Sequence, residues 1–181
     1  MRIIVDFLDG ITEYFGRMVS WLALFMVLVT FATVVMRYAY GISNVAMIET
    51  IVYSFAILFA ASAGWTLLHD EHVRVDVFYG GMSERGKAAV DLFGAIFFMF
   101  PVIYIVWIMG VPYVKRSWKV RETSNEVSGL DYLYVLKTFI LVFAVVLAVQ
   151  GVSFVLRKIH VLIHGTLMQT RFGSVSGRDK N

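Results

Sequence analysis

The chain has 181 residues, of which 59% are hydrophobic and 16% are charged. This composition is far more apolar than that of an ordinary soluble domain and indicates a membrane protein. The absence of cysteine excludes disulfides, thiolate metal sites, iron–sulfur clusters and a cysteine nucleophile. The net charge of +3 does not indicate nucleic-acid binding, because the basic residues flank apolar segments and form no patch interleaved with aromatic residues.

The first predicted element is an amphipathic helix over residues 1–17. Its apolar residues recur at helical spacing, while Asp6, Asp9 and Glu13 fall on the other side. This pattern is typical of a helix that lies along the membrane surface. A secretory signal is not indicated, because the segment is acidic and no small-residue cleavage site follows the first long apolar run.

Four apolar segments that are long enough to cross a bilayer follow this helix. The predicted spans cover about residues 18–38, 45–68, 88–114 and 133–157. We therefore predict an all-α membrane protein with a four-helix transmembrane domain over residues 18–158. Residues 159–181 are predicted to form a cytoplasmic polar tail.

The distribution of lysine and arginine predicts the orientation of these spans. Ten of the 16 basic residues lie in the N-terminal segment, the connection after the second span and the C-terminal segment, and the other six lie in the other two connections. Because cytoplasmic loops carry an excess of basic residues, both termini are predicted to be cytoplasmic.

The stretch HDEHVRVD, which begins at His69, is the densest group of possible metal ligands. His69 and His72 stand three residues apart among acidic neighbours, but this spacing alone is weak evidence for a metal site. His160 and His164 have the spacing of a zinc-protease motif, but Val161 occupies the position where that motif needs glutamate. We interpret the stretch as a solvated interfacial loop and predict no metal site and no catalytic residue.

Glu49 is the only acidic residue clearly inside one of the four apolar runs, and an intramembrane carboxylate is by default a functional candidate. It lies about one turn from the end of its helix, where its side chain can reach the interface. We therefore favour an interfacial anchor or a salt bridge to a neighbour such as Arg37. A proton or ion relay and contact with a partner subunit remain the alternatives.

The second span also carries small residues at four-residue spacing, Ala56, Ala60 and Gly64. Small side chains at this spacing let helix backbones approach closely in lipid. We favour packing inside the chain over a dedicated oligomer face.

The order of these features resembles the small, Q-type membrane subunit of TRAP transporters, the tripartite ATP-independent periplasmic systems. The first span ends in VVMRYAYGIS, Glu49 lies early in the second span, and His72, Arg74 and Asp76 follow that span directly. The sequence SWKVRETSNEVSGL before the fourth span also resembles this family. The resemblance covers roughly residues 10–160, and none of its motifs is catalytic.

The resemblance implies a non-catalytic subunit that needs no cofactor. In this family the large, M-type subunit holds the substrate and sodium sites and moves them by an elevator motion, and a periplasmic binding protein delivers the substrate, usually an organic acid. The Q-type subunit packs on the scaffold of the large subunit in the bacterial or archaeal cytoplasmic (inner) membrane. These two proteins and membrane phospholipids are therefore the expected partners, and five residues are candidates for structural or subunit contacts: Arg37, Glu49, His72, Arg74 and Asp76.

Two interpretations from other classes compete with this one. The first is an autonomous four-helix channel or exporter that uses Glu49 as its ionisable group. The second is a membrane enzyme with a cytoplasmic metal site at His69 and His72.

Overall fold

The computed structural model describes residues 2–69 and 81–165. This part of the chain contains four helices that are long and apolar enough to cross a membrane. They are α1 (Arg2–Tyr40), α2 (Val45–Leu68), α3 (Glu84–Val120) and α4 (Leu133–His164). The predicted all-α membrane fold is confirmed, while the side of the membrane on which the termini lie stays a prediction.

Three of the helices extend beyond the predicted spans. α1 continues through the N-terminal segment without a break, and its 39 residues correspond to about 58 Å, roughly twice the thickness of a bilayer core. α4 continues to His164, so its last turns include residues that we assigned to the polar tail. Hydropathy predicts only the part of a helix that fits lipid. The polar ends remain helical because lysine, arginine and glutamate are good helix formers.

The helix termini use the turn residues that the sequence offers. α1 ends at Gly41, whose φ is 69°, and the Ile42 N–H donates to the Met36 carbonyl at 3.1 Å, as in a Schellman motif. The Asn44 side chain caps α2 by accepting from the Ala46 N–H at 2.9 Å. Ser83 caps α3 by accepting from the Gly86 N–H at 3.3 Å.

α3 contains one π-helical turn, Ala95–Met99. The Phe100 N–H donates to the Ala95 carbonyl, five residues back, where a regular α-helix would bond four residues back. The turn ends just before Pro101, whose ring would clash with the carbonyl four residues earlier in a regular helix.

The chain divides into two compact units. The first contains Met1–Tyr14, Ala63–Tyr104 and Val145–Asn181. Its core forms around Leu67 of α2, Ala95 of α3 and Phe154 of α4, with further apolar side chains packed on them: Met99, Leu147 and Val155.

Within this first unit, Gly64 brings α2 and α4 into close contact. A Cβ atom at Gly64 would lie 2.5 Å from Val146 Cγ1 and 3.0 Å from the Val146 carbonyl oxygen. Gly64 of the predicted small-residue series therefore packs inside the chain, which was the interpretation that we favoured.

The second unit contains Phe15–Ser62 and Ile105–Ala144. Gly110 of α3 is buried there against α4, and a Cβ atom at this position would lie 3.1 Å from Leu141 Cδ2. Both units therefore have a glycine at a position where two helices pack closely together.

Candidate functional site

Glu49 of α2 holds the loop between α3 and α4. Its carboxylate accepts hydrogen bonds from the Ser124 hydroxyl and from the Leu130 N–H, the latter at 2.5 Å. Gly129 lies against the same group, since a Cβ atom there would be 2.8 Å from Glu49 Oε2 and 2.5 Å from Ser124 Oγ. Glu49, the acid that the sequence places inside an apolar run, therefore binds a loop of its own chain.

The salt bridge suggested between Glu49 and Arg37 is not formed. Arg37 is exposed, and it makes no ion pair with any residue of the described part of the chain. The loop provides Glu49 with a hydroxyl and a backbone N–H, so the carboxylate is stabilised by neutral donors. Arg37 is a basic residue in the last turn of α1, where its positive charge interacts favourably with the helix dipole.

A second carboxylate of the same loop, Glu122, is paired with Lys137 near the start of α4. Lys137 Nζ donates to both carboxylate oxygens, at 2.6 and 2.5 Å, and lies 4.3 Å from the centre of the Tyr113 ring. The hydrogen bonds from Lys137 hold the pKa of Glu122 below its ordinary value of 4.5.

The N-terminal segment of α1 is attached to α4 through a buried acid. Asp9 is fully buried, and its Oδ1 accepts from Gln150 Nε2 at 3.1 Å and from Ser153 Oγ at 2.6 Å. Its other oxygen, Oδ2, lies 3.9 Å from Arg157 Nη1. We call these four residues, Asp9, Gln150, Ser153 and Arg157, the Asp9 cluster.

One turn further along α1, Glu13 contacts α2. Its Oε2 accepts from Trp65 Nε1 at 3.0 Å and lies 2.8 Å from His69 Nε2, and the Trp65 and His69 rings lie 4.3 Å apart. A surface helix ordinarily turns its acidic side to water, whereas Asp9 and Glu13 face protein here. Several large apolar side chains of this segment are exposed, among them Ile3 and Phe7, and whether they lie along the membrane surface stays a prediction.

The described histidines are occupied by contacts that need no metal. His69 contacts Glu13, while the His160 and His164 rings stack on each other at 4.3 Å. No group of three or more possible ligands that could hold a metal ion occurs in residues 2–69 and 81–165. His72, Arg74 and Asp76 lie outside the described residues, so their predicted structural or subunit contacts stay predictions.

The family model for the DctQ component of the tripartite ATP-independent periplasmic transporters matches residues 26–161, about three quarters of the chain. The chain belongs to the DctQ family. It is thus the small membrane component of a TRAP transporter, and DctQ components work with a DctM component and a substrate-binding protein. A search of curated protein sequences and a search of solved structures found no significant match.

The Asp9 cluster of this DctQ chain was not predicted from its sequence. Asp9 lies before the residues that the family model matches, whereas Gln150 and Ser153 lie within them. A signal was present, because Gln150 interrupts the apolar run of the fourth span and Ser153 follows it on the same face of a helix, three residues on. Their need for a polar partner in lipid could have pointed to an acidic side chain elsewhere in the chain.

Proposed function

We propose that this DctQ chain is the non-catalytic small subunit of a secondary active TRAP transporter for organic acids, driven by an ion gradient. It packs on the scaffold of the large, elevator-type DctM subunit and stabilises it in the cytoplasmic membrane of a bacterium or archaeon. A periplasmic binding protein delivers the substrate to the complex. Substrate and coupling ions bind to the large subunit, and this chain supplies a fixed support.

The contacts of Glu49 are the observation that carries this proposal. A channel or exporter made of these four helices would need its one ionisable group in an apolar run to face a path for solute or ions. Both oxygens of Glu49 instead accept hydrogen bonds from residues 124 and 130 of the loop. The carboxylate therefore orders the protein and supports a structural role.

The exposed side chains of the helices support the packing role. On α1 they include Trp21, Leu28 and Phe31, which are 71%, 58% and 68% exposed. Apolar side chains of this size fit lipid or another apolar protein surface. The hydroxyls of Thr30 and Thr33 on the same helix donate to the helix's own carbonyls at 2.7 Å, so their donors are used within the helix.

A support for an elevator must resist tilting. Moving a polar or aromatic anchor into hydrocarbon costs free energy because its hydrogen bonds with water are lost. We expect a truncation that lacks residues 1–16 to assemble with DctM and to transport less than the full chain in liposomes. Full transport by the truncated complex would contradict this mechanical role.

Reconstitution in liposomes tests the proposed function. With an imposed ion gradient, the binding protein and an organic acid, we expect uptake to require both this chain and DctM. The Glu49→Gln variant tests the channel alternative, because a channel or exporter would act without DctM and would lose activity with this substitution. Uptake or conductance by the chain alone that disappears in Glu49→Gln would overturn the proposal.

A further inference from the structure

An open groove of about 650 Å³ lies along α3 in the second unit. Most of its lining side chains are apolar, and Arg116 contributes a charged group to the lining. Ile105, Ile108 and Pro112 line it together with Arg116, and their spacing of three to four residues places them on one face of the helix. Ile140 of α4 contributes to the lining from across the groove.

The length of the groove matches one leaflet of a bilayer. From Ile105 to Arg116 the helix rises about 16 Å, and half of the hydrocarbon core of a bilayer is about 15 Å thick. A single acyl chain that lies along this face would therefore reach from the headgroup level to the middle of the membrane.

The basic end of the groove has no acidic partner within the part of the chain that the structure describes. Arg116 Nε donates to the carbonyl of Pro112 at 3.4 Å, and both residues line the groove. Arg116 is exposed, as are its neighbours Lys115, Lys119 and Arg121, and none of these four forms an ion pair within residues 2–69 and 81–165. The nearby Lys137, by contrast, is neutralised by Glu122.

We propose that this groove binds one acyl chain of an anionic glycerophospholipid and that Arg116 holds the lipid phosphate. A guanidinium can donate two parallel hydrogen bonds to a phosphate, and its positive charge favours a headgroup of net negative charge.

Native mass spectrometry of the full chain in detergent tests the site with two probes, phosphatidylglycerol and phosphatidylcholine of identical acyl chains. We expect phosphatidylglycerol to bind more tightly. Arg116→Gln should weaken its binding about fivefold, the contribution of one basic residue near an anionic surface. It should weaken the binding of phosphatidylcholine less, because the choline cation of that lipid offsets the charge of its phosphate. The matched control Lys119→Gln removes a neighbouring charge that does not line the groove, and we expect a change of less than about twofold.

A second variant tests the apolar part of the groove. Ile108→Trp fills the groove and should weaken the binding of both lipids. Arg116 is exposed, so Arg116→Gln remains informative if the tryptophan variant does not fold. Equal binding of the two lipids by the unmodified chain, or equal effects of Arg116→Gln and Lys119→Gln, would overturn the proposal.

The same site can be probed in membranes that contain the whole transporter. A photoreactive phenylalanine analogue in place of Ile108 should form a product with the mass of the chain plus one phospholipid. A cross-link from this position to DctM would show that protein covers the groove and would overturn the proposal.

Discussion

Glu49 accepts its hydrogen bonds from two residues of one loop, so its effect should be visible in that loop. Replacing it by alanine leaves the Leu130 N–H without the acceptor that lies 2.5 Å away. We expect the Leu130 amide to exchange hydrogen at least about tenfold faster, since a hydrogen bond to a charged acceptor has that weight. Hydrogen exchange followed by mass spectrometry of the peptide that contains residues 121–132 measures the change.

The matched control for this experiment is Arg37→Ala, which removes the exposed residue that we first considered as the partner of Glu49. It should leave the exchange of the loop unchanged. Equally faster hydrogen exchange in both variants would indicate that a salt bridge between Glu49 and Arg37 holds the loop.

Glu122 predicts a dependence of stability on pH. Its pKa is lowered in the folded chain, chiefly by the hydrogen bond from Lys137, so the pair stabilises the protein above the ordinary glutamate pKa of 4.5. This stabilisation is lost as the pH falls below that value and passes through the pKa of the folded chain. We expect Glu122→Gln to have a lower melting temperature than the unmodified chain at pH 7, and we expect the difference to shrink below pH 4.5.

Melting curves of both chains in detergent between pH 7 and the acid limit of folding test this. Glu126→Gln is the control, because Glu126 is an exposed carboxylate of the same loop. A difference between Glu122→Gln and the unmodified chain that stayed constant down to the lowest pH would rule out the titration of Glu122 as its cause.

At the scale of the helices, Gly64 and Gly94 provide a matched pair. A methyl group at Gly64 would lie 2.5 Å from Val146 Cγ1, whereas nothing lies within 4 Å of the corresponding position at Gly94. We expect Gly64→Ala to destabilise the chain by about 1–3 kcal/mol, as overpacked positions do. Gly94→Ala should instead stabilise it by about 0.5–1 kcal/mol, because alanine favours a helix over glycine.

Chemical unfolding in detergent, followed by circular dichroism, compares the two glycine variants. Opposite signs are the expected result. Equal destabilisation would show that the α2–α4 contact at Gly64 is not the cause.

The attachment of the N-terminal segment of α1 depends on Asp9. Asp9→Ala leaves the donors of Gln150 and Ser153 without the carboxylate oxygen that accepts from them, and a buried donor without an acceptor costs about 1–3 kcal/mol. Asp6→Ala is the control on the same helix, because Asp6 forms a partly exposed pair with Arg2 and such pairs contribute less than about 1 kcal/mol. The free energies of unfolding of the two variants provide the comparison, and similar losses would contradict a special role for Asp9.

At the scale of the whole molecule, Asp76 bears on assembly. The extended pattern after α2 alternates valines with His72, Arg74 and Asp76, so these polar side chains are predicted to share one side of the segment. We expect Asp76→Ala to reduce the yield of a purified complex with DctM, while Glu71→Ala in the same stretch leaves it unchanged. Normal yield and normal transport of the Asp76→Ala complex would leave the motif without a role in assembly.

The number of helices could be predicted from sequence because a bilayer demands long continuous apolar runs. The ends of the helices could not, because hydropathy does not register the polar turns after Val114 or after Arg157 that remain helical. The importance of Glu49 was predictable from its place in an apolar run, but its partners were not. Ser124 and Leu130 lie 75 and 81 residues away along the chain, and no local pattern brings them together.

The π-helical turn of α3 has a consequence for how related chains are aligned. The buried residues Ala88 and Ala95 are seven positions apart, but the next buried residue, Ile103, follows after eight. The wide turn Ala95–Met99 thus absorbs one extra residue, which in a regular α-helix would rotate everything after it by about 100°. A family member that lacks one residue here can keep the same buried face with a regular α-helix, so a single-residue gap near Phe97 is the evolutionary trace that we expect this turn to leave.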